Sequence, residues 1–223
     1  MQIEKTKQLT AMAMLAALAY LVMVVGRIPV VSFLKYDPKD IIIVIGGFIY
    51  GPLAAFAISL VVSFIEMFTV SDTGIIGAIM NLVSTCSFAC LAAVIYKKKH
   101  TLKGAVIGLL SGVGLMVIVM LLWNYLLTPI YMGYPRDAVA AMLVPIFLPF
   151  NLVKGGLNAA ITMLLYKPVV KTLRLAGLAP KSVHAAGAND PKASRKVSAA
   201  VMLAALLVLA TCVLFALMLA GII

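Results

Sequence analysis

Residues 41–68 read IIIVIGGFIYGPLAAFAISLVVSFIEMF, an apolar run with a single charge at Glu66. About 20 apolar residues cross a bilayer, so this run is too long for one span. Gly46-Gly47 and then Tyr50-Gly51-Pro52 interrupt it, and it reads as two helices joined by a very tight turn near Gly51. The first of the pair begins as early as Pro38 or Asp40, with Asp40 placed to cap it.

The same reading extends in both directions. Upstream, Leu9 to Val25 is a first apolar segment that stops at Gly26-Arg27-Ile28-Pro29. It follows a charged start (Glu4, Lys5, Lys7) without a small-residue cleavage site leading into a soluble domain, so this helix is expected to stay in the mature protein. Downstream lie a fourth segment at about Ile75 to Tyr96, a fifth from Gly104 to about Leu127, and a sixth from about Ala138 to Val170. Pro145 and Pro149 place a kink or a late start in the sixth. A polar stretch with Gly177, Pro180, Gly187 and Pro191 follows, and Val197 to Ile223 is a seventh apolar segment without an ionisable residue. The expected organisation is all-α: a membrane bundle with a six-helix core over residues 1–175, a linker at 176–196, and an additional transmembrane helix at 197–223, read as a plain lipid-facing span.

Composition supports this class. The chain is 64% hydrophobic and 11% charged, more apolar surface than a soluble domain can cover. Its net charge of +11 follows membrane topology and not nucleic-acid binding. With the N-terminus inside and six alternating spans, Lys5, Lys7, Lys97, Lys98, Lys99, Lys103, Lys167, Lys171, Arg174, Lys181, Lys192, Arg195 and Lys196 fall inside. Only Arg27, Lys35, Lys39 and Arg136 fall outside, interleaved with Asp37, Asp40 and Asp137. The cation bias sets a cytoplasmic N-terminus in a cell membrane. Cys86, Cys90 and Cys212 lie in apolar segments without a CxxC or a flanking histidine, so they read as packing residues. No GxxxxGK[ST], HExxH or GxSxG occurs, which leaves no motif for ATP hydrolysis, metalloprotease or serine-hydrolase chemistry. No catalytic residue and no metal site is expected.

Lys154 is the residue that points to function. A lysine at bilayer depth costs on the order of 3–15 kcal/mol, and it is retained where it faces a cavity, a partner charge or a ligand. Asn151, Lys154 and Asn158, three and four apart, share one helical face. In the assumed topology Glu66, Asn124, Asn151 and Lys154 gather in the outer half of the bundle. Above them lies the outer loop with Leu34, Lys35, Tyr36, Asp37 and Asp40, together with the Ser71-Asp72-Thr73-Gly74 turn. A few placed polar groups among apolar walls are what a small-molecule pocket needs. Structural readings stand beside this one. Lys154 forms an ion pair with Glu66 or Asp40; Glu66 pairs with an outer lysine; Asp37 and Asp40 are turn and cap residues; Asn81 and Asn124 join helices. Trp123, Tyr125 and Tyr131 either line the pocket or form an interfacial belt. Ala13 and Ala17, four apart, give the first helix a small-residue face for a neighbouring helix or for a separate membrane subunit.

The order of these elements resembles a known family. An Ala-rich first helix precedes Leu34-Lys35-Tyr36-Asp37-Pro38-Lys39-Asp40 and then Gly46-Gly47-Phe48-Ile49-Tyr50-Gly51-Pro52. Trp123-Asn124-Tyr125 and Pro149-Phe150-Asn151-Leu152-Val153-Lys154 follow. Over about residues 5 to 175 this resembles the substrate-binding S components of energy-coupling factor (ECF) transporters, and within them the riboflavin-specific ones. The resemblance implies a six-helix bundle with an outward vitamin pocket capped by the first outer loop, and riboflavin as transported substrate without a resident cofactor. It also implies a transmembrane coupling subunit meeting the Ala13 and Ala17 face, and two ATPase subunits on the inner side. Asn151 and Lys154 match the positions that hydrogen-bond the isoalloxazine ring, while Asn124 and the Lys35–Asp40 loop match regions near the ligand. With Lys154 as the lone pocket cation, free riboflavin is expected over its phosphate ester. The seventh helix departs from the family pattern.

Overall fold

The computed structural model describes residues 2–31, 34–71, 73–176 and 191–221. Its order is α1 (Gln2–Gly26), β1 (Ile28–Val31), β2 (Leu34–Tyr36), α2 (Lys39–Tyr50), α3 (Pro52–Thr69), α4 (Gly74–Lys98), α5 (Leu102–Met132) and α6 (Arg136–Met142). A π-helical turn (Leu143–Phe147), α7 (Leu148–Leu175) and α8 (Pro191–Leu219) complete it. Among the described residues six helical stretches are long and apolar enough to cross a membrane: α1, α3, α4, α5, the α6–α7 unit and α8. Large exposed side chains such as Leu21, Leu53, Phe64, Phe68, Ile118 and Leu122 cover their outer faces, as a lipid-facing surface requires.

The break inside residues 41–68 falls where expected. Gly51 has φ +96°, a backbone region that penalises a Cβ, and Pro52 starts α3 with no N–H to leave unsatisfied. On its other side α2 has only 12 residues, about 18 Å of helix against a hydrocarbon core of about 30 Å. It is buried from Lys39 to Ile49, and its apolar character all round suits a helix enclosed by others. Asp40 does not cap α2: the N-cap is Pro38, with no side-chain cap hydrogen bond. One position into the helix, the Asp40 carboxylate turns instead to partners on α4 and α7.

Between α6 and α7 the expected kink is a π-helical turn. Neither Pro145 nor Pro149 has an N–H to donate to the carbonyl four residues back, so the regular ladder fails at both. Helix α7 then runs through Pro168 to Leu175, and α8 starts at Pro191 and not at Val197. Apolar length marks the part that fits a membrane, while helical backbone continues into the polar flanks. The expected linker falls mostly on residues 177–190, outside the described residues, as do Phe33 and Asp72.

The tightest packing joins α4 to α5. A Cβ on Gly112 would stand 2.5 Å from the carbonyl oxygen of Phe88, so the two backbones touch with no room for a methyl group. Gly112→Ala is expected to lower stability by about 1–3 kcal/mol. A clear drop in the melting temperature of the detergent-purified protein would register it, and an unchanged melt would contradict the close approach.

Candidate functional site

At one end of the bundle, the ends of α1, α3 and α5 and the starts of α4 and α7 surround a cavity of about 380 Å³, with the β1–β2 hairpin forming one wall. That volume lies in the range of small-molecule sites. The hairpin pairs Ile28 with Tyr36, Pro29 with Lys35 and Val31 with Leu34, with an irregularity between Pro29 and Val31. From it, Leu34, Lys35 and Asp37 reach the cavity. Arg27, Glu66, Ser71, Thr73, Met80, Asn81, Ser84, Met120, Asn124, Tyr131, Met132, Phe150, Asn151 and Lys154 complete the lining.

Six of the eight residues singled out for substrate contact line this space: Asn151, Lys154, Asn124, Asp37, Leu34 and Glu66. Tyr36 and Asp40 stand behind the wall. The Tyr36 hydroxyl donates to Asn158 Oδ1 at 2.9 Å, and the Asn158 amide donates to Asp40 Oδ2 at 3.2 Å. Thr85 donates to Asp40 Oδ1 at 2.7 Å. The same carboxylate lies 3.8 Å from Lys154 Nζ, too long for a hydrogen bond but close enough to balance charge. Lys154 is 6% exposed and Asp40 0%, so each charge relies on the other in a poorly solvated place. Burial, and then the carboxylates of Asp40 and Asp37, push the Tyr36 phenol above its usual range, which keeps it a neutral donor.

A second polar cluster forms around Glu66. Its carboxylate pairs with Lys39 and Arg27 and accepts a hydrogen bond from Asn81 at 2.8 Å. Arg27 also donates through Nε to Asp37 Oδ1 at 2.6 Å and through Nη1 to the Val70 carbonyl at 3.1 Å. Burial works against the Arg27 charge, but Asp37 and then Glu66 outweigh it and raise its pKa. This cluster ties the α1 end, the hairpin, α2, α3 and α4 together. Of the ion-pair readings, Lys154 meets Asp40 and Glu66 meets Lys39. Asp37 is more than a turn residue, because it grips Arg27.

Asn151 donates to the Phe147 carbonyl at 2.7 Å, which leaves its amide a second N–H and an acceptor oxygen. Phe147 is the last residue of the π turn, so the Pro145–Pro149 distortion sits directly beneath this side chain. Asn124 bonds along its own helix, to the Met120 carbonyl at 2.7 Å and from Thr128 at 3.0 Å. It therefore lines the cavity without joining two helices. Asn81, by contrast, links α4 to Glu66 of α3. Of the three aromatics only Tyr131 lines the cavity; Tyr125 is exposed, with the Arg136 guanidinium 5.8 Å from its ring centroid.

Sequence reasoning missed Arg27 as a lining residue and placed Lys35 only in a loop near the ligand; the expectation of a lone pocket cation is corrected by the presence of both. Arg27 is nevertheless neutralised by two carboxylates, and Asp37 and Glu66 face the same space. The signal for Arg27 was available: an arginine directly at the end of an apolar helix, followed within the same loop by Asp37. Ala13 and Ala17 are exposed on α1, whereas Leu15, Ala16 and Ala19 turn inward.

Comparison with known proteins gives consistent findings. The family model described as ECF transporter, substrate-specific component, matches residues 7–166. The riboflavin transporter FmnP of Bacillus subtilis (strain 168) is 29% identical over 188 residues, covering 77% of this chain and 98% of that protein. The riboflavin transporter RibU of Staphylococcus aureus (strain TCH60) is 27% identical over 183 residues, covering 78% of this chain and 96% of that protein. A solved structure, described as the S component of a bacterial ECF transporter, superposes with a TM-score of 0.64 at 27% identity, over 76% of this chain and 99% of that one.

Proposed function

The chain belongs to the substrate-specific components of ECF transporters, multi-pass membrane subunits of transporters and not enzymes, and from that premise we propose that it captures riboflavin in the hairpin-walled cavity. The observation that carries this reading is Asn151 and Lys154 together on one wall of a space whose surface is mostly apolar, in a chain whose relatives FmnP and RibU bear the name riboflavin transporter. A flavin presents a flat ring, an edge of alternating donors and acceptors, and a chain of hydroxyls. The free N–H and oxygen of Asn151 suit that edge, and Lys154 donates to a ring nitrogen or carbonyl oxygen. Leu34, Met80, Met120 and Phe150 cover the ring, while Asn124 and Asp37 meet the hydroxyls. Tyr36, Asp40 and Glu66 act through the groups they hold.

In this reading the cavity opens to the outside and the N-terminus is cytoplasmic, as the distribution of lysine and arginine favours. Energy comes from two ATPase subunits on the inner side through a transmembrane coupling subunit docked on α1. The outward Ala13 and Ala17 allow a partner helix close approach. Ala13→Leu is expected to reduce co-purification of the coupling subunit while riboflavin binding persists. Equal co-purification would remove this face from the interface.

The deciding experiment is a fluorescence titration of the purified chain with riboflavin, alongside its visible absorption. Saturable quenching, or a preparation that is yellow as isolated, supports the reading. A colourless preparation that does not quench added riboflavin would sink it.

A further inference from the structure

The family match ends at residue 166, and α8 lies beyond it. One side of α8 presents Ala205, Leu209, Cys212, Ala216 and Leu219, at the alternating spacing of four and three that forms a helix seam. Ala205 is buried. The other four pack on a cluster made of Val30 from β1, Tyr36 from β2, and Phe150, Val153 and Leu157 from α7. Contact is closest at Gly156, where a Cβ would stand 2.6 Å from Cys212 Sγ. In lipid such close packing over small residues is what holds helices together. The opposite side of α8, with Leu203, Leu207 and Leu214, is exposed.

This seam reaches the cavity through three residues. Phe150 belongs to the cluster under α8 and also lines the cavity; Leu34 packs on that cluster and lines the cavity as well. Tyr36, also in the cluster, leads through Asn158 to Asp40 beside Lys154. The hairpin itself is a short, irregular two-stranded ribbon. Such a ribbon is marginal alone, so its place depends on what grips it. The Arg27, Asp37 and Glu66 cluster grips one end, and α8 packs against its β1 and β2 residues from outside the cavity.

We propose that α8 is a strap that holds the β1–β2 hairpin against α7 and so sets the rate at which bound ligand leaves. Escape requires the wall carrying Leu34, Lys35 and Asp37 to move off the helix ends, and α8 opposes that motion from the lipid side. The sequence reading of α8 as a plain span is thereby extended, because one of its faces is a working contact. The inference rests on riboflavin as the ligand.

The test uses the full chain with Cys86→Ala and Cys90→Ala, so that Cys212 is the remaining thiol. Adding Gly156→Cys places two sulfurs within a small adjustment of disulfide geometry. Oxidation in membranes should cross-link them and fix the strap, and Cys212→Phe, whose ring has no room over Gly156, should lift it. Release of radiolabelled riboflavin into excess unlabelled riboflavin is then followed in each state. A single interhelical side-chain hydrogen bond in a membrane corresponds on average to roughly a threefold change in rate, and it sets the scale for one contact of this seam. Release is expected to slow by about that factor or more on oxidation, to recover with reductant, and to quicken similarly in Cys212→Phe. Failure of the disulfide to form overturns the docking of α8. A disulfide that forms, with release equal in all states, makes α8 an anchor only and overturns the strap. A native chain that retains no riboflavin overturns the substrate reading and the strap with it.

Discussion

Lys154→Ala is expected to weaken riboflavin binding by about 10- to 150-fold, the worth of a hydrogen bond from a charged donor. Folding should suffer less. Asp40 keeps its hydrogen bonds from Thr85 and Asn158, one on each carboxylate oxygen. Asn151→Ala should cost roughly 10-fold, because a neutral amide contributes less than an ammonium. Flavin titration and thermal melting of the same detergent preparation separate the two effects. Wild-type affinity in either variant would remove that residue from the ligand contacts. A melt that collapses while residual binding is normal per folded molecule would make Lys154 a structural ion pair with Asp40 and nothing more.

The largest stability effect should come from Glu66→Ala. Lys39 and Glu66 are each 1% exposed, and Arg27 shares the same carboxylate. Removing Glu66 strips the buried Lys39 ammonium of the carboxylate it is paired with and loosens Arg27, which retains Asp37. Breaking a buried pair from one side costs about 3–5 kcal/mol, a large part of the stability of most domains. Reduced accumulation in membranes and a melting temperature many degrees lower are the expected readouts. Adding Lys39→Met should restore much of the loss, since the uncompensated charge is then gone. If the double variant is no more stable than Glu66→Ala alone, charge burial is not the cause, and the lost hydrogen bond from Asn81 would have to carry the effect.

Much of the bundle was legible because membrane helices announce themselves locally. Gly51-Pro52 marked a turn that the backbone makes at positive φ, and Pro145 with Pro149 marked the place where the ladder breaks. Two features near the site were not legible. The Ile28–Tyr36 segment read as a loop, since Pro29 and the bulge beside it hide the strand alternation. Lys39 read as an outer cation of the topology count. Its burial follows only because α2 is enclosed and its first turn lies against the C-terminal end of α3.

Sequence alone determined that this chain is a polytopic helical membrane protein, where its helices break, and that Asn151 and Lys154 share a face at a depth where a charge needs a reason. Those conclusions rest on helical period, apolar length and the chemistry of glycine and proline, all properties of neighbouring residues. Tertiary structure alone decided the pairings: Lys154 with Asp40, Glu66 with Arg27 and Lys39, and α8 with the hairpin and α7. Several oppositely charged residues and several apolar faces were available to each. Charge and packing energies fall steeply with separation, so the partner is whichever group the converging helix ends bring within a few ångströms.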